Sequence, residues 1–244
     1  MIGLIGGIGP ASTLDYYVGI LKGYMDKTGT DHYPEIFIHS IDMTELISFI
    51  EQDRWDKVVS KLVDSIKMLS DAGAEFAAIA SNTPHLVFDE IAQRSPVPLI
   101  SIVEETCKYI RKVGHKRVLT IGTRFTMRSG LYTKPLTECG VTSLLPYADD
   151  QERIYALFFP NLENGIVVPE DKEQMLALVS RIIREQVADS LLLGCTELPL
   201  MIKPEDVSVP TIDTMQIHIE SIVNYMTRLD GKKQLKKGIY ISDV

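Results

Sequence analysis

Two short runs of this 244-residue chain carry side chains suited to moving a proton beside a carboxylate. Ser81-Asn82-Thr83-Pro84 follows the apolar run EFAAIA (75–80), and Cys195-Thr196-Glu197 follows SLLLG (190–194). Each apolar run reads as a buried parallel strand, so each polar run stands where a strand gives way to a helix. Helix N-termini present free N–H groups, and open α/β sheets bind ligands beyond the carboxyl ends of their strands. A thiol placed there has its pKa drawn from ~8.5 towards neutrality, which suits a general acid or base. That is the chemistry expected of Cys195, set against the plainer role of a small buried residue at a strand end. Asn82, Thr83 and Thr196 are placed to offer a carboxylate side-chain and backbone donors. Thr83 before Pro84 also reads as an N-cap followed by proline at the first helical position.

The elements that would position these residues come in two copies. MIGLI, EIFIHSI (35–41), EFAAIA and PLISIV (98–103) read as strands. Helical-period segments separate them at Pro10 to Tyr24, at Trp55 to Ala72 and from about Pro84, and another follows from Glu104 to Val113. Such alternation argues for parallel βαβ units with helices on both faces of the sheet. Then the plan restarts: RVLTIGT (117–123) repeats the first strand and its glycine turn, and SLLLG repeats EFAAIA. Ser81 lies 75 residues after Gly6, and Cys195 lies 73 after Gly122. Val97-Pro98 then follows Ser81 by 16 residues, and Val209-Pro210 follows Cys195 by 14. Four ordered landmarks at near-equal spacing indicate internal duplication.

The expected fold is therefore α/β, with two pseudo-symmetric half-domains, each a mostly parallel sheet flanked by helices. Residues 1–103 plus about 209–230 would form the first half-domain, 104–208 the second, and 231–244 a C-terminal tail. The helix from Met215 to Arg228 is expected to return to the first half. If the halves face one another, Ser81 and Cys195 approach a shared cleft from opposite sides.

Composition narrows the function. With 45% hydrophobic and 24% charged residues the chain is an ordinary globular one. No window approaches the ~18 apolar residues of a membrane helix, and MIGLIGG lacks the basic region of a signal peptide. A net charge of −8 disfavours nucleic acid as a partner. Cys107, Cys139 and Cys195 are odd in number and form no CxxC pair, so reduced thiols in a cytoplasmic protein are expected. The turn Gly6-Gly7-Ile8-Gly9-Pro10-Ala11-Ser12 is weak evidence for a dinucleotide, and the next strand ends in His39-Ser40 without an acidic residue. Gly9 and Pro10 are better read as allowing a small anion close to the backbone. Thr123 and Thr126 offer hydroxyls at the counterpart turn in the second half. The five histidines show no metal-binding spacing, and no metal site is expected; His85 stands one turn from the proposed site.

MIGLIGGIGPAST, ASNTPHLVFDEI, LTIGTRFTM and GCTELPL, in this order and spacing, resemble the aspartate/glutamate racemase family, including its archaeal members. The likeness extends to about residue 228. It implies two Rossmann-like halves, commonly a homodimer, no pyridoxal phosphate or other cofactor, and one proton-transfer residue per half on opposite faces of a substrate α-carbon. The substrate implied is a small-molecule amino acid, aspartate, glutamate or a relative. On that resemblance the second catalytic residue is Cys195, the first falls on Ser81 where the family usually has cysteine, and Asn82, Thr83 and Thr196 match carboxylate-binding positions. Glu163 stands near the place where aspartate-specific relatives carry a lysine, which makes it a specificity candidate. A serine hydroxyl is a weak nucleophile and acid until activated. A one-thiol decarboxylase or isomerase of the same superfamily, and a catalytically silent carboxylate-binding protein, therefore remain open.

Overall fold

The computed structural model describes residues 1–236; the side chains of Glu163 and of 232–236 lie outside that description, as do residues 237–244 of the expected tail. The first half contains β1 (Ile2–Gly6), α1 (Pro10–Thr28), β2 (Ile36–Ser40), α2 (Met43–Glu51), α3 (Trp55–Asp71), β3 (Phe76–Ile79), α4 (Phe88–Arg94) and β4 (Leu99–Ile100). After α5 (Ile102–Val113) come β5 (Arg117–Ile121), α6 (Arg124–Arg128), α7 (Thr133–Glu138), β6 (Thr142–Leu144), α8 (Ala148–Phe158), α9 (Pro169–Gln186), β7 (Ser190–Leu193), α10 (Leu198–Met201) and β8 (Thr211–Asp213). The long α11 (Thr214–Lys236) follows.

The two sheets share one topology. Strand order is β2-β1-β3-β4 in one and β6-β5-β7-β8 in the other, with every pairing parallel. In register, Ile5 lies beside Ile79, and Ile121 beside Leu193. Ser81 and Cys195 therefore stand two residues beyond equivalent strand ends. This is the two-sheet α/β architecture the duplicated spacing predicts.

Alternation along the strands divides each half's core between two faces. Ile2, Leu4, Phe76 and Ala78 pack under α1 and α11, while Ile5, Ala77 and Ile79 pack against α2 and α3. In the second half Leu119, Ile121, Leu191 and Leu193 meet α8 and α9, and Val118, Leu192 and Ile212 meet α5 and α7. Helix α11 approaches α1 closely because Gly19 and Gly23 lack side chains. A Cβ on Gly19 would come within 2.8 Å of Ile219, and one on Gly23 within 3.2 Å of Val223. Tyr16 seals this contact by a 2.7 Å hydrogen bond to His218 Nδ1.

Three expectations change. The strand at 98–103 shortens to Leu99–Ile100, because Ser101 Oγ accepts from the Glu104 N–H at 3.3 Å and starts α5 at Ile102. Residues 211–213, expected in the first half, instead form the edge of the second sheet beside β7, and α11 follows from Thr214. The segment after Ser81 opens as a 3-10 turn (Thr83–Val87) without a side-chain cap. Asn82 is already helical there, and its carbonyl accepts from His85 N–H.

Among the described residues no helix is long and apolar enough to cross a membrane, and no group of three or more His, Cys, Asp or Glu could hold a metal ion.

Candidate active site

The carboxyl ends of the two sheets enclose a cavity of about 610 Å³. Its lining includes Gly9, Ser81, Asn82, Thr83, Thr123, Thr126, Cys195 and Thr196, so the structure brings together all but two of the expected site residues. Pro10 is exposed at the start of α1 and does not line the cavity. Glu163 belongs to a 3-10 turn, Leu162–Asn164, and its side chain is outside the description.

The turn after β1 carries Gly9 to the cavity. Gly7 takes φ +86°, and a Cβ on it would collide with the Ile41 carbonyl oxygen; its N–H donates to Thr13 Oγ1 at 2.9 Å. The counterpart turn is held differently. Thr123 Oγ1 accepts from the Thr126 N–H at 3.3 Å, and Thr126 Oγ1 donates to the Gly194 carbonyl at 3.1 Å. Thr126 is thus spent on joining β5 to the turn that bears Cys195, while Thr123 caps α6 and its hydroxyl lies 3.2 Å from Thr126 Oγ1.

Ser81 and Cys195 are each 8% exposed and both line the cavity. The Cys195 thiol donates to Glu197 Oε2 at 3.0 Å, and the Thr196 hydroxyl donates to the same oxygen at 2.9 Å. Burial first, and the Glu197 carboxylate second, push this thiol well above its ordinary range. The expectation of a thiol lowered by a helix N-terminus is overturned. The helix that follows, α10, has four residues, and a carboxylate stands between it and the sulfur. The resting group is a protonated thiol with the Glu197 carboxylate as its hydrogen-bond acceptor.

Ser81 has a different setting. Its Oγ has no hydrogen-bond partner among the described residues. Its carbonyl accepts from His85 Nδ1 at 2.9 Å, while His85 Nε2 accepts from the Ile102 N–H at 3.3 Å. That pairing fixes the neutral Nδ1–H tautomer, and burial, with His218 next to it, lowers the imidazole to about 3. His85 therefore anchors the strand end and supplies no base to the serine hydroxyl. The site lacks the imidazole that a triad-type hydrolase places on its nucleophile.

Asn82 is drawn across the cleft. Its Oδ1 accepts from Tyr132 O–H at 2.5 Å, and its Nδ2 donates to Thr214 Oγ1 at 3.4 Å; Thr214 in turn bonds the Leu193 carbonyl at 2.9 Å. Asn82 thereby ties the two strand ends together. Thr83 Oγ1 is half-exposed and without a partner among the described residues, which leaves it open to a ligand.

Sequence reasoning missed Glu197, Tyr132 and the apolar wall. Glu197 stood in plain view in GCTE, but its contact with the thiol needs the turn to bend back over a buried sulfur. Helix α2, which forms one wall, had a signal: Asp42 accepts from Thr44 and Glu45 N–H at 2.8 and 3.4 Å ahead of Leu46, Ile47 and Ile50.

Comparison with known proteins places this geometry. The chain is 28% identical, over 92% of its length and 97% of the relative's, to the broad specificity amino-acid racemase RacX of Bacillus subtilis. It is 26% identical to the glutamate racemase of Aquifex aeolicus, covering 72% of this chain and 66% of that one. The crystal structure of an aspartate racemase homologue from Pyrococcus horikoshii superposes with a TM-score of 0.81 at 36% identity, covering 93% of this chain and 98% of that one. The model of the Asp/Glu/Hydantoin racemase family matches residues 5–222, from the first strand to α11, and the chain belongs to that family.

Proposed function

We propose that this protein is an amino-acid racemase that uses its own side chains, and not pyridoxal phosphate, to invert an α-carbon. The observation that carries the reading is the symmetry of the site: Ser81 and Cys195 occupy equivalent strand ends and line one cavity. Family membership and the likeness to a broad specificity amino-acid racemase support it.

In this reading the Cys195 proton passes to Glu197, the thiolate removes the α-hydrogen, and the electron pair left on carbon delocalises into the substrate carboxylate. Thr83 and the backbone N–H groups of the two strand ends, that of Thr196 included, hold that carboxylate. The Ser81 hydroxyl then delivers a proton to the opposite face, and solvent returns a proton to the Ser81 oxygen as Glu197 releases one, which resets the site. In the reverse sense Cys195 is the donor. Protonating a carbanion suits an unassisted hydroxyl; abstracting an α-proton does not. Exchange is therefore fast on the Cys195 face and slow on the Ser81 face. The protein is proposed to act in the cytoplasm as a homodimer, the state the resemblance implies, which light scattering of the purified chain checks.

The deciding experiment is proton NMR in deuterium oxide with a panel of D- and L-amino acids. The α-proton signal of a substrate disappears in the presence of wild-type protein and persists with Cys195→Ala. Failure of every panel member to exchange sinks the reading and favours a carboxylate-binding protein. Release of carbon dioxide from a substituted malonate, without racemisation of any amino acid, favours the one-thiol decarboxylase.

A further inference from the structure

We infer that the cavity is built to receive a large apolar side chain, so that the substrates are amino acids such as phenylalanine, leucine and methionine in preference to aspartate or glutamate. The inference rests on the racemase reading and names the substrate class of that site.

Room is the first argument. At about 610 Å³ the cavity falls in the middle of the range for drug-sized ligands. The strand-end hydroxyls, amide and thiol account for an α-carboxylate and an α-carbon, and most of the remaining wall is hydrocarbon. Leu46, Ile47 and Ile50 of α2 line it from the first half, and Phe125, Tyr155 and Phe159 from the second. Phe125 also packs on the first-half cluster containing Ile8, Ile41 and Leu46, so the aromatic wall is continuous with the α2 wall.

Charge is the second. A side-chain carboxylate buried here needs a cation. Arg124 and Arg128 line the cavity, but Glu152 engages each of them, the Arg124 contact being 2.6 Å. Arg124 is further held with its guanidinium carbon 3.5 Å from the Tyr155 ring centroid. Its Nε is buried and has no hydrogen-bond partner among the described residues. Among the described residues the acidic wall groups besides the Cys195 thiol and the Tyr155 phenol are the carboxylates of Glu51 and Glu197. Glu152 neutralises one of the two guanidiniums and both are half-exposed, so a second carboxylate on the substrate would meet mostly apolar wall, with the one remaining positive charge screened by solvent.

Burying several extra carbons discriminates strongly, since a single methylene is worth ~10–200-fold in an apolar pocket. We expect kcat/KM for phenylalanine, leucine or methionine to exceed that for aspartate and glutamate by ~100-fold. The test is α-proton exchange in deuterium oxide across that panel, with alanine added, for wild type and Ile47→Lys. Ile47 is half-exposed, so a lysine there fits without disrupting the core. It puts a cation in the apolar wall and should lower the phenylalanine-to-aspartate ratio ~10-fold or more. Exchange of aspartate or glutamate in preference to the apolar amino acids overturns the inference and leaves the racemase reading standing. Equal kcat/KM for alanine and phenylalanine also overturns it, because the walls would then close on each other over a small substrate. An unmoved ratio in Ile47→Lys does the same. Failure of the whole panel to exchange removes the racemase reading and this inference together.

Discussion

The two strand ends that face each other share a backbone plan and differ in chemistry. After β7, a thiol, a hydroxyl and a carboxylate converge within three residues, and Glu197 accepts from the other two at 3.0 and 2.9 Å. After β3, the hydroxyl of Ser81 stands alone while its neighbours serve the scaffold: His85 holds the Ser81 carbonyl and Asn82 reaches into the other half. In the proposed reaction the Cys195 end moves a proton in either direction, and the Ser81 end gives one more readily than it takes one. A duplicated fold therefore need not duplicate its reactivity, because acidity is set by the side chains around a position and not by its place on the sheet.

The sharpest way to break the contrast is to remove its reactive side. Cys195→Ala should reduce α-proton exchange ~10²–10⁴-fold, with the far-ultraviolet circular dichroism spectrum unchanged. Wild-type rates in that variant would end the assignment. Restoring symmetry is the next largest effect. Ser81→Cys supplies a thiol of ordinary pKa ~8.5 on the weak face, and α-proton exchange on that face should gain up to ~10²-fold. Ser81→Ala should stop inversion while single-face exchange at Cys195 continues, as polarimetry and NMR would separate. Unaltered racemisation in Ser81→Ala would reduce that residue to a strand-end cap.

Glu197→Gln sharpens the comparison by lowering the difference in surroundings. The Glu197 charge is one cause holding the thiol up, so iodoacetamide should alkylate Cys195 with a midpoint at lower pH than in wild type. An unmoved profile means that Glu197 only braces the turn. Tyr132→Phe tests the scaffold of the other end. It strips Asn82 Oδ1 of its donor and should cost ~1–3 kcal/mol in urea unfolding.

A last effect is spread over pH. His85 and His218 are buried and neutral, lowered to about 3 and about 4 mainly by burial. In the unfolded chain each takes a proton near ~6.5. The unfolded state thus binds more protons than the folded one between those limits, so stability is complete above ~6.5 and drains as pH falls towards 4. Each histidine contributes a slope of about 1.4 kcal/mol per pH unit. Thermal melts between pH 7 and 4 should show that decline, and His218→Gln should flatten it.

Pattern along the chain determined the strands, their doubling and the location of the chemistry. Apolar runs of strand length, helical periodicity between them and equal spacing from Gly6 to Ser81 and from Gly122 to Cys195 are local quantities, and they carried through to two sheets of identical order. They also put the fourth strand in the right place but overran it, because the capping serine at 101 is as polar as a strand end and only the Glu104 N–H contact tells the two apart. What tertiary structure alone decided lies between the halves. Tyr132 is 50 residues from Asn82, and Thr214 is 132 away, yet they meet on one amide. The walls from α2 and α8 come from different sheets and face each other only because the halves do. The acidity of Cys195 was the property the chain order could least supply. A helix start and a buried position beside a carboxylate shift a thiol in opposite directions, and burial is known only once every neighbour is in place.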